Sequence, residues 1–230
     1  MMDDTIRLYL YTSEECLMNI LRERRLYVSR PWNTNDITEG VTQGETSQSE
    51  EVKELGYICL SETCQSPAMW GYYADRSRGA CLVFDINLPE YQRNSHCIRY
   101  GAVSYADKRV SAKETLEKRL FTKAKDWEHE REYRFLFKLL KLGSFHKESN
   151  GRSEVIFFES HIFSYLSGVI LGKNCVRQLA EIQTFLPAGA HVARMNLNED
   201  LFNFSQNRVI PIREEPTERR HIAKGAPGNR

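Results

Sequence analysis

The chain has 230 residues, 41 % of them hydrophobic and 27 % charged, which suits one substantial core and is too apolar for a disordered chain. Its 32 basic and 31 acidic residues leave a net charge of +1, so global charge gives no case for nucleic-acid or membrane binding. Six cysteines form no C-x-x-C pair, no apolar run approaches the ~20 residues that span a bilayer, and the Met1-Met2-Asp3-Asp4 start lacks a signal-peptide core. A cytoplasmic protein with reduced cysteines, no metal and no membrane partner is expected.

Ile6 to Tyr11 reads as a strand. Ser13 is a good N-cap, with Glu14 and Glu15 in the first turn, where the helix dipole favours acids. Leu17, Ile20 and Leu21 then make a helical stripe that ends near Arg25, and Leu26 to Ser29 reads as a second strand. Residues 33–56 are polar and acidic, a long loop of the kind that is functional or disordered. Tyr57 to Ser61 is a strand. Pro67 starts a helix that places Met69, Tyr72 and Tyr73 at i, i+3 and i+4, and Gly79 ends that segment.

Ala80 to Phe84 is a nearly continuous apolar strand, expected at the centre of the sheet. Ile98 to Tyr105 is a strand of mixed polarity, and 109–124 reads as a basic amphipathic helix through Leu116 and Leu120. Residues 108–125 carry seven Lys/Arg against two Glu. A strand over Trp127–Lys138, a polar turn over 144–153 and strands at 155–158 and 169–172 follow. Asn174 then caps a helix carrying Val176, Leu179, Ile182, Phe185 and Leu186, and strands at 191–197 and 209–212 close the chain. The expectation is one α+β domain over 1–213, built on a split, strongly bent mixed sheet, and a loosely ordered basic tail over 214–230.

The segment W-x-x-E-x-E-Y-R, Trp127 to Arg134, is the most informative stretch. On a strand, alternation puts Glu130, Glu132 and Arg134 on one face. Two carboxylates and a guanidinium are costly to bury unpaired, so they sit in water, pair with one another, or line a polar site. A solvated edge strand is the plain alternative here, and core packing is the plain alternative for Met69, Trp70 and Tyr72. The P-loop, G-x-G-x-x-G, H-E-x-x-H and G-x-S-x-G motifs are absent, which argues against an NTPase, a Rossmann enzyme, a zincin and an α/β-hydrolase.

Five segments stand in order: L-Y-x-Y-T-S at the start, S-x-P-x-x-x-N-D at Ser29, Pro31, Asn35 and Asp36, C-L-S-E at Cys59–Glu62, P-A-M-W-G-Y-Y-A-D from Pro67, and K-x-x-x-W-x-x-E-x-E-Y-R from Lys123. Over residues 6–175 this resembles a widespread bacterial family of unknown function that carries M-W-x-x-Y-A-D and W-x-x-E-x-E-[YW]-R motifs. That family's arrangement is similar, more distantly, to ADP-ribosyltransferases of the DNA-modifying toxin branch. The second resemblance places Tyr11-Thr12-Ser13 on the first motif of those enzymes, Pro67-Met69-Trp70 on the second, and Glu132 or Glu130 on the third. Leu10 stands where they carry the His or Arg that holds the NAD ribose, leaving Tyr9 and Tyr11 as partial substitutes.

The resemblance implies an NAD-consuming transferase of a bacterial toxin or phage-defence type. Glu132 and Glu130 would be its catalytic carboxylates. Tyr9, Tyr11, Thr12, Ser61, Trp70, Tyr72, Lys123 and Arg134 would contact NAD: Tyr72 or Trp70 stacked on nicotinamide, Arg134 or Lys123 on pyrophosphate. A nucleic acid or protein would be the acceptor, a cognate antitoxin or defence-system subunit the partner, and the 33–56 loop a lid or target-recognition element. The alternatives are a catalytically inert nucleotide- or nucleic-acid-binding module, with the basic 108–125 segment as its working surface, and an interaction subunit without a small ligand.

Overall fold

The computed structural model describes residues 4–31, 36, 50–149, 152–197 and 204–206. The chain begins with β1 (Thr5–Thr12), α1 (Glu14–Glu23) and β2 (Leu26–Val28). It continues with α2 (Glu50–Lys53), β3 (Leu55–Ser61), α3 (Pro67–Tyr72), β4 (Ala80–Asn87), α4 (Leu88–Asn94), β5 (Cys97–Ala102) and β6 (Ser104–Ala106). Then come α5 (Leu116–Leu120), β7 (Thr122–Ala124), β8 (Glu132–Lys138), β9 (Gly143–Ser149), β10 (Arg152–Glu159), β11 (Leu166–Leu171), α6 (Leu179–Gln183), β12 (His191–Leu197) and β13 (Phe204–Gln206).

Eight strands form one sheet in the order β13-β12-β11-β4-β1-β3-β8-β5; a second sheet is β2-β10-β9, and β6 pairs with β7. The large sheet is mixed: β1 runs antiparallel to β3 and β4, whereas β11 and β12 are parallel. The molecule is thus a mixed α/β structure with a multistranded mixed sheet and few, short helices.

Local chemistry explains the elements that were legible. Ser13 caps α1 by accepting from the Cys16 amide at 3.2 Å, and α1 buries Leu17, Met18, Ile20 and Leu21. Ser66 caps α3 and Pro67 opens it, where a missing amide hydrogen costs nothing. β4, with an apolar run from Ala80 to Phe84, lies between β1 and β11 and is buried along most of its length.

The strand registers divide the sheet into two unlike faces. Leu8 and Leu10, Ile58 and Leu60, Leu82 and Phe84, and Phe135 and Phe137 look toward the main core with α1, Tyr91 and Phe163. The opposite face carries two smaller apolar clusters. One gathers Tyr11, Cys64, Met69, Trp70 and Cys81; the other gathers Val52, Leu55, Tyr57, Leu120, Phe121 and Leu136.

Several expected elements differ. The strand expected over Trp127–Lys138 begins only at Glu132, because β8 pairs with β3 and β3 ends at Ser61, opposite Glu132. Without that partner, Lys125–Glu130 folds into a 3-10 helix, and Arg131 turns the chain with a left-handed backbone, φ 45°. The basic helix expected over 109–124 reduces to α5, whose start is set by Thr115 accepting from Lys118 and whose buried anchor is Leu120. Residues 144–149 and 152–153, read as part of a turn, instead pair within β9 and β10.

Asn174 caps no helix: its amide and side chain bond to the carbonyls of Ser77 and Arg76, and α6 starts only at Leu179. Residues 50–56, read as loop, supply α2 and the start of β3. Residues 98–105 are divided between β5 and β6. Asn33, Asn35, most of the 33–56 loop, the 209–212 strand and the 214–230 tail lie outside the described residues. Asp36 is buried.

Candidate active site

Three adjacent strands line up Tyr9, Ser61 and Glu132. Tyr9 on β1 is paired with Ser61 on β3, and Ser61 is paired with Glu132 on β8. Directly paired residues point to the same face, so the three side chains form a row. The next row is Cys59 beside Arg134. Leu10 points the other way, against the main core. Register therefore makes Tyr9, and not Leu10, the β1 neighbour of Ser61 and Glu132.

Glu130 joins this face from the 3-10 helix. The Ser61 hydroxyl donates to the Glu130 carbonyl at 2.6 Å and accepts from the Thr63 amide at 3.2 Å. The left-handed turn at Arg131 thus brings both carboxylates to one place by a route that strand alternation does not describe. Lys123, on β7, donates to Glu130 Oε2 at 2.5 Å and to Glu132 Oε2 at 3.4 Å. Arg134 grips Glu132 through Nε at 2.6 Å and Nη2 at 2.9 Å, and donates through Nη1 to the Leu120 carbonyl. Tyr73, half-buried, donates its hydroxyl to Glu130 Oε1 at 2.5 Å.

Two anions and two cations form one hydrogen-bonded chain. All four side chains are at most 5 % exposed, and their charges cancel. The guanidinium of Arg134 lies 4.6 Å over the Tyr57 ring, and Lys123 Nζ lies 4.7 Å over that of Trp127. Burial alone would push the Glu132 carboxyl up, but the charge and hydrogen bonds of Arg134, the Lys123 charge and a Cys59 hydrogen bond hold it down at about 2. Glu132 is an anion throughout the neutral range.

The remaining candidate residues flank this chain. Tyr11 and Thr12 are buried; the Tyr11 hydroxyl donates to the Thr63 carbonyl at 2.8 Å, and burial raises its pKa. Trp70 is buried too, edge-on to Tyr11 with ring centroids 5.2 Å apart and Nε1 donating to the Cys64 carbonyl at 2.7 Å. Tyr72 is 70 % exposed. Lys123 and Arg134 are directed at the carboxylates.

Tyr73, Cys59 and Tyr105, whose hydroxyl accepts from the Glu132 amide at 2.7 Å, were missed by sequence reasoning. Cys59 carried a signal, since it stands two residues before Ser61 on a strand. Tyr73 and Tyr105 carried none, because their places depend on how α3 meets the Lys125–Glu130 helix and how β6 meets β8. Among the described residues no three His, Cys, Asp or Glu side chains gather to hold a metal ion, and no helix is long and apolar enough to cross a membrane.

No family model, no curated protein and no solved structure matches the chain.

Proposed function

We propose that the chain is an ADP-ribosyltransferase-like enzyme of a bacterial toxin or phage-defence system, cleaving the nicotinamide–ribose bond of NAD and transferring ADP-ribose to a macromolecule. The observation that supports this most is the row Tyr9–Ser61–Glu132, with Glu130 beside it. The Tyr9 hydroxyl, with the lone pairs that Ser61 and the carboxylates have left after their bonds within the network, provides a donor and acceptors that suit a ribose diol.

NAD supplies a ribosyl carbon that becomes cation-like as nicotinamide leaves. Glu132, an anion at neutral pH, offers fixed negative charge to that centre, and carboxylates stabilise such charge in glycoside cleavage. Glu130 lies at the Tyr73 end of the chain. In this reading Lys123 and Arg134 hold the carboxylates in position and keep Glu132 ionised, a role distinct from gripping pyrophosphate.

The second reading, an inert nucleotide- or nucleic-acid-binding module or an interaction subunit of a defence system, draws on one observation. Each oxygen of the two carboxylates already accepts a hydrogen bond, as in a purely structural ion network. Nicotinamide release on incubation with NAD, alone and with DNA, RNA or cell lysate as acceptor, separates the two. The enzyme reading expects release, a fall of at least ~100-fold in Glu132→Gln, and weaker NAD binding in Tyr9→Phe. No release with any acceptor supports the binding module.

A further inference from the structure

Tyr72, the last residue of α3, is a large aromatic side chain that is 70 % exposed. Its ring lies tilted against His129 with centroids 6.2 Å apart, and His129 lies 6.1 Å from Trp127 at 31°. His129 Nδ1 is 3.0 Å from the Asp126 carbonyl oxygen. A carbonyl oxygen only accepts, so in the neutral ring Nδ1 carries the proton and Nε2 is a bare acceptor. Nε2 is buried and, among the described residues, no donor reaches it. A buried acceptor without a protein donor is rare in folded proteins and calls for an explanation.

We propose that Tyr72, Trp127 and His129 form a subsite for a single nucleobase bearing an exocyclic amino group. The base stacks on Tyr72, and its amine donates to His129 Nε2. Tyr72 is the most exposed ring of the three, so it re-orients at least cost to uncover Nε2 while still presenting its face to the base. Exposed Lys125, Asp126, Glu128 and Arg131 flank Trp127 and His129 along the chain, two cations and two anions. That balance gives no track for a phosphate backbone, so recognition rests on the base. The subsite goes beyond NAD cleavage and does not require it.

Titration of the full chain with AMP and with purine riboside monophosphate, which lacks the amine, tests the proposal without any substitution. AMP binds about tenfold tighter, the scale of one hydrogen bond to a buried acceptor. Tyr72→Ala weakens AMP binding roughly tenfold or more, as loss of one stacked base does, and His129→Phe removes the preference for AMP. Equal binding of the two nucleotides to the wild type, no effect of Tyr72→Ala, or no binding of either at millimolar concentration overturns the proposal.

Oligo-dA and oligo-dT distinguish the source of the base. A dA preference with affinity above that of AMP assigns the site to a nucleic-acid strand. AMP binding that oligo-dA does not exceed assigns it to a free nucleotide. Binding of AMP by a chain that releases no nicotinamide sustains the subsite and sinks the enzyme reading, so the two fail separately.

Discussion

Glu132 keeps its charge in a buried setting only because Arg134 and Lys123 face it. Its folded pKa of about 2 lies below the ordinary value of 4.5. A depressed folded pKa contributes stability that is fully present above the unfolded value and is lost as pH falls through the folded one. Stability should therefore decline between pH ~4.5 and ~2, by on the order of 3 kcal/mol from this group. Urea unfolding at pH 6 and pH 3 measures the upper part of that fall, about 2 kcal/mol. Glu132→Gln removes this slope and, by leaving Arg134 buried beside a neutral partner, lowers stability at pH 6 by about 3–5 kcal/mol. An unchanged midpoint at pH 6 would show that the network is not held as described.

At the scale of elements, the turn from Ala74 to Arg78 fixes how α3 meets the sheet. Asp75, Arg76 and Ser77 have left-handed backbones, with φ of 45°, 54° and 64°. Gly79 and Gly172 let this turn press against the strand ends: an added Cβ would lie 2.0 Å from the Thr12 carbonyl oxygen at Gly79 and 2.2 Å from that of Ser77 at Gly172. Gly79→Ala should cost more than ~3 kcal/mol, beyond what most substitutions cost. Gly71→Ala, inside α3 where an added Cβ meets nothing within 4 Å, should gain about 0.5–1 kcal/mol. Thermal melts of both variants check the contrast, and two shifts of the same sign would contradict it.

What could be read from the chain alone follows the reach of each interaction. β1, the Ser13 cap and α1 were legible because their signals lie within a few residues of one another. The fate of Glu130 was not, because it depends on where β3 ends and β8 loses its partner. Lys118 and Lys123 are five positions apart, yet the first lies in an exposed ion pair and the second under two carboxylates. Charge counting over 108–125 treats them alike. The order of the motifs carried the candidate residues, but only the pairing of Tyr9 with Ser61 places Tyr9 in the row and Leu10 behind it.

At the scale of the whole molecule, the large sheet separates two tasks. One face builds the main core with α1, Tyr91 and Phe163, and the other holds the charged chain between two smaller apolar clusters. The proposal rests on that second face, at the row formed by β1, β3 and β8. A crystal structure of the chain with a non-cleavable NAD analogue tests it most directly. The account predicts the nicotinamide ribose on that face, its hydroxyls within hydrogen-bond reach, roughly 2.6–3.2 Å, of Tyr9, Ser61 or a carboxylate of Glu130 or Glu132. An analogue bound away from this row, or none bound at millimolar concentration with both carboxylates still held by Lys123 and Arg134, would contradict it.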